Sequence, residues 1–222
     1  MIHLIQVGAM LGGALAMWLI HRHRRRARRA LEAATRLAIA AIPEGEKVKI
    51  TGVVENRDPL ITSPVGGHPC IGFTLVIERG ATENRDFLVQ RAACRPFLLT
   101  DETGTVAVDG PFRMELDVDD GAWANLPPSV YSLLEEELGQ KKASVYFDSG
   151  QREIRFKEAL LRPGDRVSVL GRSTVEIDPA GRGSYREAPM LAHIRGTEKE
   201  PVIVADAEEP AASEGRVIQR PA

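Results

Sequence analysis

Cysteine is nearly missing from this chain, with only Cys70 and Cys94 in 222 residues. Two thiols cannot staple a disulfide scaffold, and they cannot build the four-ligand sites that structural zinc requires. Histidine is almost as thin, at His3, His21, His23, His68 and His193, so the ligands are scattered and no metal or other cofactor is expected. Aromatic residues are 5% of the chain, and Trp123, the one tryptophan outside the N-terminal apolar run, reads as core filling. No phosphate-cradling G-x-x-x-x-G-K-[ST] loop occurs; Gly66-Gly67 and Gly181-Arg182-Gly183 read as turns, which argues against nucleotide hydrolysis. The acidic clusters Asp119-Asp120 and Glu135 to Glu137 read as solvated charge, not as acid–base pairs. No catalytic residue is therefore assigned.

What the chain does have is an uneven start. Residues 1–20 carry no charge apart from His3, and the next nine hold six arginines. About 20 apolar residues at roughly 1.5 Å rise span the hydrocarbon of a bilayer, so residues 1–20 are expected to be a single transmembrane anchor. Arginines stay on the cytoplasmic side, which puts the N-terminus outside and the remainder at the cytoplasmic face of the inner membrane. A cleaved secretory signal would carry its basic residues before the apolar run. Trp18, Arg22, Arg24, Arg25, Arg26, Arg28 and Arg29 are the expected headgroup contacts, each arginine worth ~1 kcal/mol beside anionic lipid. Gly8 and Gly12 form a small-xxx-small pair through which two copies would associate.

Beyond residue 36 the chain holds 22 basic and 30 acidic residues, a net charge of −8. An acidic body lacks the basic face that neutralises phosphates, so no nucleic-acid partner is expected. From Arg28 to Ile42 the recurrence of Leu31, Ala34, Ala38 and Ile42, with Glu32 four before Arg36, predicts a helical stalk over residues 21–43 that ends at Pro43-Glu44-Gly45.

The period then changes from helical to alternating. Val48, Ile50, Gly52 and Val54 alternate with polar residues, and Cys70 to Ile77, Phe87 to Val89, Phe97 to Leu99, Val106 to Val108, Val167 to Val169 and Val202 to Val204 read as short strands. Asp58-Pro59, Glu102-Thr103-Gly104, Asp109-Gly110-Pro111 and Pro163-Gly164-Asp165 punctuate them. One helix is predicted from Pro128 to Glu137. The fold expected over residues 44–205 is mainly β: a small, barrel-like (OB-like) antiparallel domain with one inserted helix, followed by a disordered tail at 206–222.

Within that domain the segment from Pro59 to Cys70 stands apart, because three prolines and two glycines make it a stiffened loop with few core residues. Pro59, Leu60, Ser63, Pro64, Gly67, His68 and Cys70 are its candidate partner-binding residues. Cys70 near His68 invites a nucleophile reading, but rigid Pro69 between them favours a thiol that turns inward.

Three stretches carry a resemblance: Pro59 to Pro64 with Gly67-His68-Pro69-Cys70, Pro96 to Val108, and Glu158 to Gly171. In this order behind an anchor they resemble the GIDE domain, also called BAM, "beside a membrane". That family is known from the membrane-anchored ubiquitin ligases of mitochondria and chloroplasts and from bacterial proteins. The resemblance covers roughly residues 45 to 175 and implies a β domain that contacts other proteins next to a bilayer. The ligase activity of the eukaryotic members resides in a RING finger with two tetrahedral zinc sites, and no cysteine or histidine follows His193 here. The expectation is thus a non-catalytic adaptor or membrane-stress scaffold. The alternatives are an E3-type activity inherited from the family and a barrel that binds an oligosaccharide or another small ligand.

Overall fold

Alternation along one ten-residue strand sets the architecture, because Val48, Ile50 and Val54 all turn to the same interior. The computed structural model describes residues 26–79, 86–116, 127–140, 154–177 and 190–207. Residues 26–33 are helical (α1), followed by β1 (Arg36–Leu37), a 3-10 turn (Ile39–Ala41), β2 (Lys47–Asn56), β3 (Ile61–Thr62), β4 (Pro69–Cys70), β5 (Gly72–Arg79), β6 (Asp86–Cys94), β7 (Phe97–Asp101), β8 (Gly104–Asp109) and β9 (Phe112–Glu115). Helix α2 (Pro128–Leu138), β10 (Ile154–Leu161), β11 (Arg166–Ile177), β12 (Met190–Arg195) and β13 (Val202–Asp206) complete the order.

Strands β2, β7, β8, β12 and β11 pair in sequence, and β11 returns to pair with β2 along Arg166–Arg172. The result is a closed five-stranded barrel, as the sequence led us to expect. Four of its ladders are antiparallel, but β8 and β12 run parallel, from Ala192 opposite Val106 to Arg195 opposite Asp109. A parallel neighbour needs a long crossover, and here the chain between them is long enough to hold β9, α2, β10 and β11.

Ile50, Phe97, Leu99, Val106, Val108, Val167, Val169, Ile194 and Val204 fill the barrel with no exposed surface. Phe97 stacks on Phe112 of β9 at a centroid separation of 5.9 Å. Gly52 follows the inward alternation of β2, yet a Cβ there would lie 2.5 Å from the Thr100 carbonyl oxygen of β7. A Cβ on Gly171 would lie 2.5 Å from the Ile194 side chain of β12. These two bare positions let the walls approach and bend.

A second layer is built from insertions. Antiparallel strands β10, β5 and β6 form a three-stranded sheet, and Leu75, Ile77, Val89 and Ile154 bury against Val130, Leu133 and Leu134 of α2. Pro127 is extended and Pro128 takes the first helical turn, where its missing N–H costs nothing; Gly139, at φ +78°, ends the helix.

The helical stalk expected over residues 21–43 is corrected. Helix α1 stops at residue 33; Arg36 and Leu37 instead add a parallel strand beside Lys49 and Ile50, and Ile39 is buried. Leu37 and Ile42 pack on the barrel core, while Ala27 and Leu31 bury against Leu170 and Ile203 on the barrel wall. An open stretch of β2 edge and ready apolar surface override the helix propensity of this alanine-rich run. Glu32 accordingly faces Arg28, at 3.7 Å and exposed, and not Arg36. The segment 1–20, expected to cross a membrane, lies outside the described residues, as do Trp18, Arg22, Arg24, Arg25, Gly8, Gly12 and the tail beyond 207. Among the described residues no helix is long and apolar enough to cross a membrane. Arg26, Arg28 and Arg29 are exposed on α1.

Gly52→Ala should lower stability by about 1–3 kcal/mol, the usual cost of overpacking. Urea unfolding at constant m-value would show it as a lower midpoint.

Candidate functional site

The Pro59–Cys70 segment folds as a short hairpin, with β3 and β4 pairing Ile61 with Cys70 and Thr62 with Pro69. Its turn closes on itself: the Ser63 N–H donates to the His68 carbonyl at 2.9 Å, and the Gly67 N–H donates to the Ser63 carbonyl at 3.1 Å. Gly67 supplies φ +66°, which glycine adopts without strain. The His68 N–H is held by Ser63 Oγ at 3.2 Å.

Groups distant in the chain then fix the turn. Glu158 of β10 accepts the Val65 N–H at 2.9 Å, the Gly66 N–H at 3.0 Å and the Ser63 hydroxyl at 3.2 Å. Ser129, in the first turn of α2, donates to the Val65 carbonyl at 3.2 Å. At Gly66 a Cβ would lie 2.5 Å from His68 Cδ2 and 3.1 Å from Glu158 Oε2, so a side chain there would push the turn off its carboxylate. A charged acceptor that takes several donors is among the stronger tethers available to a loop.

The seven residues singled out from the sequence divide into two sets. Pro59, Leu60, Gly67 and His68 are exposed and Pro64 is half-buried; Ser63 and Cys70 are buried, 2% and 0% exposed, and form the inner face that holds the loop. Glu158 and Ser129 were not singled out. A signal for Glu158 existed, since it opens the third of the family-like stretches, but nothing in sequence spacing places it under a loop 90 residues earlier.

The cysteines belong to the same interior. Burial pushes the Cys70 thiol up, Glu158 adds to the rise and Arg162 opposes it. Cys94 reaches solvent over part of its surface but is ringed by protein, and that desolvation, with a smaller contribution from Cys70, pushes it to about 12. Both are neutral thiols at physiological pH, a poor state for nucleophilic attack. Among the described residues no group of three or more histidine, cysteine, aspartate or glutamate side chains is placed to hold a metal ion.

Two further polar clusters serve the scaffold. His193 is buried on the outer side of β12, its Nδ1 2.7 Å from Asp109 Oδ2 on β8 and its Nε2 4.0 Å from Glu176 Oε2 on β11. Arg195 grips Glu176 with both Nη atoms, and Arg57 reaches Asp109 at 3.0 Å. This network spans the three strands that include the parallel ladder. Asp101 at the β7–β8 turn accepts the Ile39 N–H at 3.0 Å, the Thr103 N–H at 2.7 Å, the Thr103 hydroxyl at 2.6 Å and the Gly104 N–H at 3.1 Å. Burial opposes ionisation of this carboxyl, but those four donors together hold it below its ordinary 3.8.

Comparison with protein-family models, with curated proteins and with solved structures finds no match to this chain. The site therefore rests on its own geometry.

Glu158→Ala should free the Val65 and Gly66 amides, seen as faster hydrogen exchange at those two positions with the barrel amides unchanged. Because its folded pKa is depressed, Asp101 contributes stability that is fully present above about pH 5 and lost as pH falls through its folded value. The difference in Tm between the wild type and Asp101→Asn should be constant from neutral pH down to that point and shrink towards pH 2. Asp109→Ala should cost about 1–3 kcal/mol by leaving a buried histidine without its acceptor, as measured by denaturant midpoint.

Proposed function

We propose that this chain is a non-catalytic protein-interaction domain, held at the cytoplasmic surface of a membrane by its N-terminal apolar segment and working as an adaptor or stress-response scaffold. The observation that carries the reading is the pinned hairpin. Gly67 and His68 are exposed on a turn fixed by Glu158 and Ser129, and Pro59 and Leu60, the latter 39% exposed, are exposed where the chain enters the hairpin. A loop held in one conformation loses little entropy on binding, so its exposed leucine and imidazole become usable contacts. Headgroup contacts by Arg26, Arg28 and Arg29 would orient the domain, and the unidentified partner would be a protein.

The finer fold reading is an OB-type barrel within a GIDE-like domain. It is supported by the strand order β2, β7, β8, β12, β11, closed by a parallel ladder between the third and fifth barrel strands. It is also supported by the meeting of the first and third family-like stretches through Glu158. A second reading, a barrel that binds an oligosaccharide or another small ligand, is favoured by that strand order alone.

Affinity capture from membranes tests the first reading. Leu60→Asp combined with His68→Ala should remove a defined protein from the captured set while a circular dichroism spectrum stays unchanged. An identical set would move the contact surface away from the hairpin. Removal of residues 1–30 should release the protein to the soluble fraction, and its retention on membranes would overturn the anchor.

A further inference from the structure

A groove of about 700 Å³ crosses the outer wall of the barrel, lined by residues of β1, β2, β7 and the β7–β8 turn and by Arg166 at the start of β11. The alternation that turns Ile50 and Val54 inward turns Val53 and Glu55 outward into it. In the strand ladders Val53 sits between Thr100 of β7 and Arg166 of β11, and it is 39% exposed, an aliphatic side chain among polar ones. Arg36, Arg166, Glu55 and Glu102 also line the groove, all of them exposed. Asp101 in the same lining is held by its four donors, whereas among the described residues Arg36, Arg166, Glu55 and Glu102 make no ion pair and no side-chain hydrogen bond. The groove therefore offers two cations and two anions around one aliphatic contact. The last described residue lies close by: the Ala207 N–H donates to the Arg166 carbonyl at 3.2 Å, and β13 flanks β11 on the edge opposite β2, which puts Ala207 two strand spacings, roughly 10 Å, from Val53. From there the sequence continues with Glu208-Glu209, then Glu214, then Arg216-Val217-Ile218-Gln219-Arg220.

We propose that this groove is the docking surface for the chain's own residues 208–220, with the leading glutamates on Arg166 and Arg36, Val217 and Ile218 over Val53, and Arg216 and Arg220 against Glu55 and Glu102. The argument is complementarity in three respects. The acidic residues come first after Ala207, next to the arginine that Ala207 itself touches. Val217 and Ile218, the two branched aliphatic residues of the segment, are flanked by arginines, as Val53 is flanked in the groove by unpaired carboxylates. The reach is sufficient, since the ten residues from Glu208 to Val217 extend to about 33 Å. Exposed ion pairs and one small apolar contact are individually weak, but a tethered segment meets its site at an effective concentration of order millimolar, so weak contacts suffice. Occupied in this way, the groove is closed to other polypeptides until a competitor displaces the segment. The proposal stands apart from the hairpin and does not depend on its role.

The test places a photocrosslinking residue at Ile218 of the purified full chain, mixes isotope-labelled with unlabelled chains, and maps the adducts by mass spectrometry. Illumination should join position 218 to residues 51–55 or 100–103 of the same chain. Arg36→Glu combined with Arg166→Glu, both at exposed positions, should lower that yield about fivefold or more, the worth of one to two exposed ion pairs. Glu208→Arg combined with Glu209→Arg should lower it to a similar extent without touching the folded domain, and the four changes together should restore it. Adducts scattered over the surface or confined to another face, or no adduct at all, would overturn the proposal. So would adducts that join labelled to unlabelled chains, since the occupant would then be a second copy, and so would a yield that ignores both charge reversals.

Discussion

Strand β11 is the member on which the structure turns. Its twelve residues pair with β2 on one edge and with β12 and β13 on the other, so it closes the barrel and joins the terminal strands to it. Val167 and Val169 face inward with no exposed surface, while Leu170 on the opposite side buries against Ile203 and helix α1. One strand thereby supplies interior to the barrel and an outer landing place for the segment that leads from the N-terminus. Thr51 and Ser168 share a buried hydroxyl contact at 2.9 Å across the β2–β11 ladder, which satisfies polar groups that burial would otherwise penalise.

The barrel presents its hairpin by indirect means. Strand β10 precedes β11 through the Arg162–Asp165 turn, in which Asp165 accepts the Arg162 N–H at 2.6 Å. Glu158 lies on that same strand, so the register that closes the barrel also sets the height of the carboxylate under the hairpin. The Ile71 N–H donates to the Leu161 carbonyl at 2.8 Å and ties the hairpin's exit to the same strand. Loop position, barrel closure and second layer are in this way one mechanical unit, and the exposed residues of the hairpin inherit its rigidity.

Much of this was legible in sequence where one face is buried and the other wet. Alternation at Val48, Ile50 and Val54, at Val106 and Val108, and at Val167 and Val169 located barrel strands because period two survives burial on one side. The prolines before α2 and the glycine after it located the helix for equally local reasons. Strands β10 and β12 were not legible: Ile154–Leu161 mixes charges with apolar residues, and Met190–Arg195 turns His193 and Arg195 outward into an ion network. The stalk was misread because a run of alanine and leucine has helical spacing whether or not a sheet edge is waiting for it. In the candidate site the loop was visible from its prolines and glycines. Its support was not, since Glu158 and Ser129 act from 92 and 64 residues away.

Placing a photocrosslinking residue at Leu60 of the whole chain in cells tests the account most directly, with the equally exposed Val53 on β2 as the reference position. Illumination should give a discrete adduct with one other protein from position 60 and none from position 53, and Glu158→Ala should weaken it. Adducts of equal yield from both positions, or adducts from position 60 indifferent to Glu158, would contradict the claim that a pinned hairpin is the working surface.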